Sequence, residues 1–130
     1  MMKKGMSKSL EDYIEAIYRL KLETGSSRVV DVSKALKVTM PSVNNAVKEL
    51  AAMGYVNYEK YHELQLTEAG REVAKSVYDR HRLLKEFLLS IGVSEENAEN
   101  DACSMEHILS AETLEKLGKL SKKIDESKGK

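Results

Sequence analysis

Cys103-Ser104-Met105-Glu106-His107 sets a thiol, a carboxylate and an imidazole at i, i+3 and i+4. On a helix that spacing gathers the three side chains within roughly 100° of surface. Each is a ligand type for a divalent transition metal, and Cys103 is the only cysteine in the chain. A second acidic pair, Asp12 and Glu15, stands at i, i+3 close to the N-terminus. His81 is the third unusual residue, because it interrupts an apolar stripe where leucine is expected. Each feature also has a plain structural reading. A free cysteine is often a small buried hydrophobe, a histidine in an apolar stripe is more often a satisfied core residue, and acidic pairs usually face water. What favours chemistry is convergence: three helices meeting would bring thiolate, imidazole and carboxylate around one divalent ion.

The pattern of apolar residues predicts the elements that must do the positioning. Leu10, Tyr13, Ile14, Ile17, Tyr18 and Leu20 form one face of a helix that stops at Gly25, with Asp12 and Glu15 on the opposite face. Val29 and Val30 read as a very short strand, and Asp31 then opens a short helix through Val32, Ala35 and Leu36. Thr39 is the expected N-cap of the next helix, with Pro41 tolerated in its first turn and Gly54 closing it. Its buried stripe is Val43, Ala46, Val47 and Leu50. A hairpin follows, with Val56 and Tyr58 on one strand, Leu64 and Leu66 on the other, and Lys60-Tyr61-His62-Glu63 as the polar turn.

Three short helices and a two-stranded wing make a winged helix-turn-helix over about residues 8–67. Beyond it the chain reads as all helical. Thr67 caps a long helix striped by Val73, Val77, His81, Leu84, Leu88 and Ile91. Ser94 caps a second, whose apolar line is Ala98, Ala102, Met105 and Leu109, and Ser110 opens a third through Leu114, Leu117 and Leu120. The expected architecture is mainly α: a winged helix-turn-helix DNA-binding domain at 1–67, a helical metal-binding and dimerisation domain at 68–125, and a disordered tail at 126–130.

Composition narrows the class. The chain has 130 residues, 42% hydrophobic and 32% charged, which suits one compact protein or two small subdomains. It contains no apolar run of the ~18 residues needed to cross a bilayer and no signal-peptide stretch at its start. A lone cysteine fits a reducing compartment, so a cytoplasmic protein without a membrane partner is expected. Net charge is zero, with ten Lys/Arg against seven Asp/Glu in residues 1–60 and eleven against fourteen in the remainder. That asymmetry permits phosphate binding by the N-terminal half, and dimerisation would double the contacts.

The helix from Met40 carries Pro41 in its first turn and turns Ser42, Asn44, Asn45 and Lys48 away from its buried stripe. An asparagine amide can pair with an adenine edge in the major groove, while serine and lysine suit phosphates. Polar residues on a helix often only meet solvent; the helix-turn-helix and wing around them favour DNA. Arg28, Tyr58 and Lys60 are expected backbone contacts near the wing.

Several motifs together resemble the diphtheria-toxin-repressor and manganese-transport-regulator family of metal-activated winged-helix repressors. They are Leu10-Glu11-Asp12-Tyr13-Ile14-Glu15-Ala16-Ile17-Tyr18, Pro41-Ser42-Val43, Tyr58-Glu59-Lys60-Tyr61, Leu66-Thr67-Glu68-Ala69-Gly70, His81-Arg82-Leu83-Leu84 and Cys103 through Ser110, in order over about residues 8–120. The resemblance implies that Asp12, Glu15, His81, Cys103, Glu106 and His107 are metal ligands. It also implies a homodimer through the C-terminal helices, operator DNA as partner, and repression of metal-uptake genes when metal is plentiful. The chain resembles the shorter manganese-regulator type, which lacks an SH3-like third domain. Two departures stand out. Cys103 replaces the glutamate of the manganese branch and matches the iron branch, and Lys85 stands where a carboxylate helps hold a second ion in relatives, with Glu99 as a compensating acid. Thiolate shifts preference from manganese toward iron, cobalt or zinc, and oxygen ligands shift it back. Mn(II) or Fe(II) is therefore the expected cofactor, with Co(II) or Zn(II) as substitutes.

Two competing functions follow from the same residues. One is a winged-helix regulator that uses no metal and senses an organic ligand or redox state through Cys103. The other is an enzyme with Cys103 as nucleophile and His107 as base. Neighbours on one helix rarely align for attack, and no orienting third residue is visible. The expected protein is a regulator and not an enzyme.

Overall fold

The structure, a computed structural model, describes residues 6–58 and 63–128. Among them are six helices and one hairpin: α1 Lys8–Thr24, α2 Val29–Leu36, α3 Met40–Ala52, β1 Val56–Tyr58, β2 Leu64–Leu66, α4 Glu68–Ser90, α5 Glu95–Met105 and α6 Ala111–Lys128. No helix among the described residues is long and apolar enough to cross a membrane. The chain divides into two compact units, Met6–Val77 and the residues from Tyr78 onward, with the division falling inside α4.

The first unit is a winged helix-turn-helix. Ser7 caps α1 by accepting from the Leu10 N–H at 3.1 Å, and Gly25 ends it in the left-handed region at φ 81°. Ile14, Ile17, Val32, Val43, Val47, Leu50 and Leu64 are fully buried together. Burial at this depth stabilises by about 1.5–3 kcal/mol for each large aliphatic side chain. Thr39 caps α3 by accepting from the Ser42 N–H at 3.2 Å. The hairpin pairs Val56 with Leu66 and Tyr58 with Leu64, antiparallel.

The entry to α2 differs from the expected strand. Val29 and Val30 are already helical, and the extended pairing falls one residue earlier, where Arg28 bridges Glu63. The reason is local: the Arg28 N–H donates to Asp31 at 3.2 Å, so Asp31 acts from inside the first turn and the helix starts before it.

Glu63 is not a free turn residue. Its carboxylate accepts from the Ser27 N–H at 3.0 Å, the Ser26 hydroxyl at 2.9 Å and the Lys21 ammonium at 2.9 Å. The Leu64 N–H donates to the Ser27 carbonyl at 2.8 Å. One side chain thus fastens the base of the wing to the α1–α2 connection.

Gly70 has a different logic. A Cβ there would lie 1.9 Å from the Tyr55 carbonyl oxygen, and that oxygen is held in place because it accepts from the Thr67 N–H at 3.0 Å. Thr67 in turn caps α4 by accepting from the Gly70 N–H at 3.0 Å and donates to the Gly54 carbonyl at 2.7 Å.

The second unit packs α4, α5 and α6 around Leu84, Ala102 and Leu114, with Leu83, Met105, Leu109 and Leu117 alongside. Two residues expected in apolar stripes, Ile91 and Leu120, are exposed at 54% and 46%. The α4 stripe ends earlier because the helix itself ends at Ser90. Residues 126–128, assigned to the tail from sequence, form the last turn of α6, and 129–130 lie outside the described residues.

Two expected outcomes follow from these contacts. Gly70→Ala gains at most about 1 kcal/mol of helix propensity, but the clash with a fixed backbone carbonyl outweighs it. A net loss of about 2–3 kcal/mol is expected, read as a lower midpoint in urea; unchanged stability would contradict the close approach. The second concerns Glu63, whose carboxyl is pulled down from 4.5 to about 2, foremost by the Ser27 N–H and then by Lys21, with the Ser26 hydroxyl helping against partial burial. A folded pKa below the unfolded one stabilises above the unfolded value, and that contribution disappears as pH falls toward the folded one. Glu63→Gln should cost roughly 1–2 kcal/mol near neutral pH. The gap to the natural protein should close between about pH 4.5 and 2. A gap that widens on acidification would rule the account out.

Candidate metal centre and DNA-reading face

In the second unit the ligand-type residues converge on Glu106. This carboxylate is 1% exposed, and His81 and His107 are 3% and 4% exposed. The His81 Nδ1 lies 3.4 Å from Glu106 Oε2, and the His107 Nε2 lies 3.3 Å from Glu106 Oε1. The Cys103 sulfur comes within 4.8 Å of a Glu106 carboxylate oxygen, and the thiol is half-buried and in no disulfide. Four of the six expected ligands therefore share one neighbourhood.

The helix carrying them is shorter than the sequence pattern predicts. α5 ends at Met105, Glu106 is its C-cap and His107 lies in the following turn. Its N–H reaches back only to the Ser104 carbonyl at 3.4 Å, while Ser110 already caps α6 by accepting from the Thr113 N–H at 3.1 Å. A cap that close forces the chain out of the helix. Leaving it does not scatter the ligands, because Glu106 keeps right-handed backbone angles, φ −60° and ψ −22°.

A second layer surrounds His81. Its Nε2 lies 3.0 Å from Glu99 Oε2, and Lys85 Nζ lies 3.1 Å from Glu99 Oε1 and 2.9 Å from Glu95 Oε1. Partial burial pushes the Glu99 carboxyl upward, but the bonds to Lys85 and His81 outweigh it and hold it below its ordinary value. The bonds to Glu95 and Glu99 hold the Lys85 ammonium above its own.

Asp12 and Glu15 stand on α1, in the first unit. Glu15 is buried, as is Glu11, although both carry carboxylates, while Asp12 is partly covered and pairs with Lys8 at 3.6 Å. Of these two candidate ligands on α1, Glu15 is therefore buried and Asp12 half-buried.

The donor set of the second unit, a thiol, a carboxylate and two imidazoles, fits a divalent transition metal. Buried carboxylate and imidazole suit manganese or iron, and sulfur suits the softer ions.

On the first unit, Pro41, Ser42, Asn45 and Lys48 are exposed along α3, whereas Asn44 is half-buried. The Ser42 hydroxyl lies 2.9 Å from that of Thr39 at the helix start. Arg28 is exposed at the base of the wing, with Glu63 4.0 Å from its Nε. The Tyr58 side chain and Lys60 lie outside the described residues. Lys37 is exposed in the turn between α2 and α3 with φ 57°, a left-handed cap that the sequence reading did not single out. Its only signal was a position between two helices, where a left-handed residue closes α2.

A winged helix-turn-helix followed by a helical unit with a buried ligand cluster defines a metal-dependent transcriptional regulator. The chain belongs to the iron-dependent repressor family: residues 5–64 match its N-terminal DNA-binding domain and residues 67–128 its metal-binding and dimerisation domain. It is 43% identical over 118 residues to the HTH-type transcriptional regulator MntR of Bacillus subtilis, covering 91% of this chain and 83% of that one. It is 42% identical over 114 residues to an uncharacterized HTH-type regulator of Methanocaldococcus jannaschii, covering 86% and 91%. Among solved structures it resembles the manganese regulator SloR, with TM-score 0.75, 28% identity and coverage of 85% of this chain and 52% of that one. It also resembles IdeR of T. acidophilum, with TM-score 0.72, 26% identity and coverage of 90% and 53%. The chain thus spans about half the length of these solved structures.

Proposed function

We propose that this protein is a homodimeric repressor that binds operator DNA when loaded with Mn(II) or Fe(II) and controls metal-uptake genes. The observation that supports it most is the buried Glu106 carboxylate flanked by two buried imidazoles, with a thiol beside it. His81, Cys103, Glu106 and His107 are the proposed ligands of the second unit. Asp12 and Glu15 complete the set on the strength of the family resemblance. Relatives' titles name divalent metals: SloR is a manganese regulator, and ScaR, a manganese-activated repressor, was also solved with Zn2+. Bound there, an ion supplies a divalent positive charge that offsets the buried carboxylate and draws thiolate, carboxylate and imidazole donors together.

The DNA-reading residues follow the same logic. Asn45 presents its amide to a base edge with Asn44 beside it as a second candidate, Ser42, Lys48 and Arg28 hold phosphates, Pro41 stands in the first turn, and Tyr58 and Lys60 are assigned to the wing. Exposed Leu89, Ile91, Ile108 and Leu120 provide apolar surface for a second copy.

The decisive experiment titrates a selected pool of duplex DNA with the protein and Mn(II), Fe(II), Co(II) or Zn(II) under anaerobic, reducing conditions. Metal should raise affinity and a chelator should remove the gain, with the protein dimeric throughout. Binding that ignores the chelator would sink the metal-responsive reading. Within the same assay, Asn45→Ala should relax preference at one base position by about 1–3 kcal/mol, whereas Lys48→Ala should weaken all sequences alike. An unchanged preference after Asn45→Ala would exclude it as the reader.

Cys103 is tested separately by colour. Thiolate bound to Co(II) gives an intense near-ultraviolet charge-transfer band, which acid should weaken as protons compete for sulfur. Cys103→Ser should abolish the band and shift relative affinity toward manganese, while Asp12→Ala should weaken binding and keep the band. If natural protein loaded with Co(II) shows no band, Cys103 only packs.

A further inference from the structure

We propose that Glu99 is a positioning residue for His81, pinned by Lys85, and that together they decide which ring nitrogen faces the ligand cluster. The geometry is a relay between two facing helices. His81 and Lys85 stand one turn apart on α4, and Glu95 and Glu99 one turn apart on α5. Glu99 divides its two oxygens between them: Oε1 lies 3.1 Å from the Lys85 ammonium, and Oε2 lies 3.0 Å from His81 Nε2. Lys85 is itself braced by Glu95 at 2.9 Å.

An ionised carboxylate only accepts hydrogen bonds. Glu99, the nearer of the two carboxylates beside the ring, therefore favours the proton of a neutral His81 on Nε2. The lone pair is then on Nδ1, the nitrogen that lies 3.4 Å from Glu106. The opposite tautomer would set a lone pair against Glu99 at the shorter of the two separations, 3.0 Å against 3.4 Å, on a ring that is almost fully buried. A ligating histidine gains both orientation and basicity from a carboxylate on its other nitrogen. Glu99 is 37% exposed at its side chain, so without an anchor it has room to turn toward water. Lys85, less exposed at 26%, supplies that anchor.

This rests on the reading of His81 as a ligand, and Co(II) titration of His81→Ala tests that reading alone: undiminished affinity there removes the ligand assignment. The tautomer is read without metal, from two-bond proton–nitrogen correlations of the histidine rings in the metal-free protein at a pH where His81 is neutral. The natural protein should show His81 protonated on Nε2. Glu99→Ala should mix the two tautomers and lower Co(II) affinity by about 10–100-fold. Glu99→Gln keeps an acceptor oxygen and should retain both the Nε2-protonated ring and most of the affinity. Lys85→Met should partly mix the tautomers and Lys85→Arg should restore them, changes that a purely structural ion pair would not produce. A ring protonated on Nδ1 in the natural protein overturns the proposal, as does an unmixed ring in Glu99→Ala. Should Glu99→Ala fail to fold by circular dichroism, the natural tautomer and the Lys85→Met and Lys85→Arg pair decide the question.

Discussion

A carboxylate buried to 1% exposure is the constraint around which the second unit is organised. Taking an isolated carboxylate out of water costs several kcal/mol unless positive charge and hydrogen bonds compensate it. Glu106 meets this demand with an imidazole at each oxygen. Imidazoles compensate a carboxylate fully only when they carry protons or when a cation lies among them. A divalent ion among them, as proposed above, would supply that compensation in a setting where burial strengthens it.

The first unit solves a different problem, that of holding exposed polar side chains of α3 on a rigid frame. Its helices bury a continuous apolar core, which leaves Ser42, Asn45 and Lys48 exposed on α3. The wing has only three residues in each strand, too few to be stable alone. Glu63 compensates by bonding Lys21 of α1 and two donors of the α1–α2 connection, Ser26 and Ser27, and Gly70 lets α4 approach the Tyr55 carbonyl closely enough to finish the unit. Both contacts fix how the wing is held to the rest of the unit.

Much of this was legible in the sequence because it is local. Caps at Thr39, Thr67 and Ser94, the stop at Gly25 and the stripe Val43, Ala46, Val47 and Leu50 are all decided within a few residues. The hairpin strands Val56–Tyr58 and Leu64–Leu66 fell where alternation put them. Local competition also explains the misreadings. Two adjacent valines favour a strand, but Asp31 bonding the Arg28 N–H pulled them into α2. A continuous apolar line favoured one helix through Leu109, but the cap at Ser110 ended it at Met105.

By itself, then, the sequence determined the order and type of elements, the recognition helix and the identity of the ligand-type residues, since spacing and side-chain chemistry act over a turn or two. Tertiary structure decided what no spacing encodes. It turned Glu63 from a turn residue into the wing's anchor across 36 residues of chain. It buried Glu15 and Glu11 on α1, whose exposure no spacing along the helix fixes. It also drew His81 from α4 to Glu106 at the end of α5, and placed Lys85 and Glu99 behind it. These are desolvation and long-range contact, which depend on where distant segments pack, and a linear pattern of residue types carries no record of that.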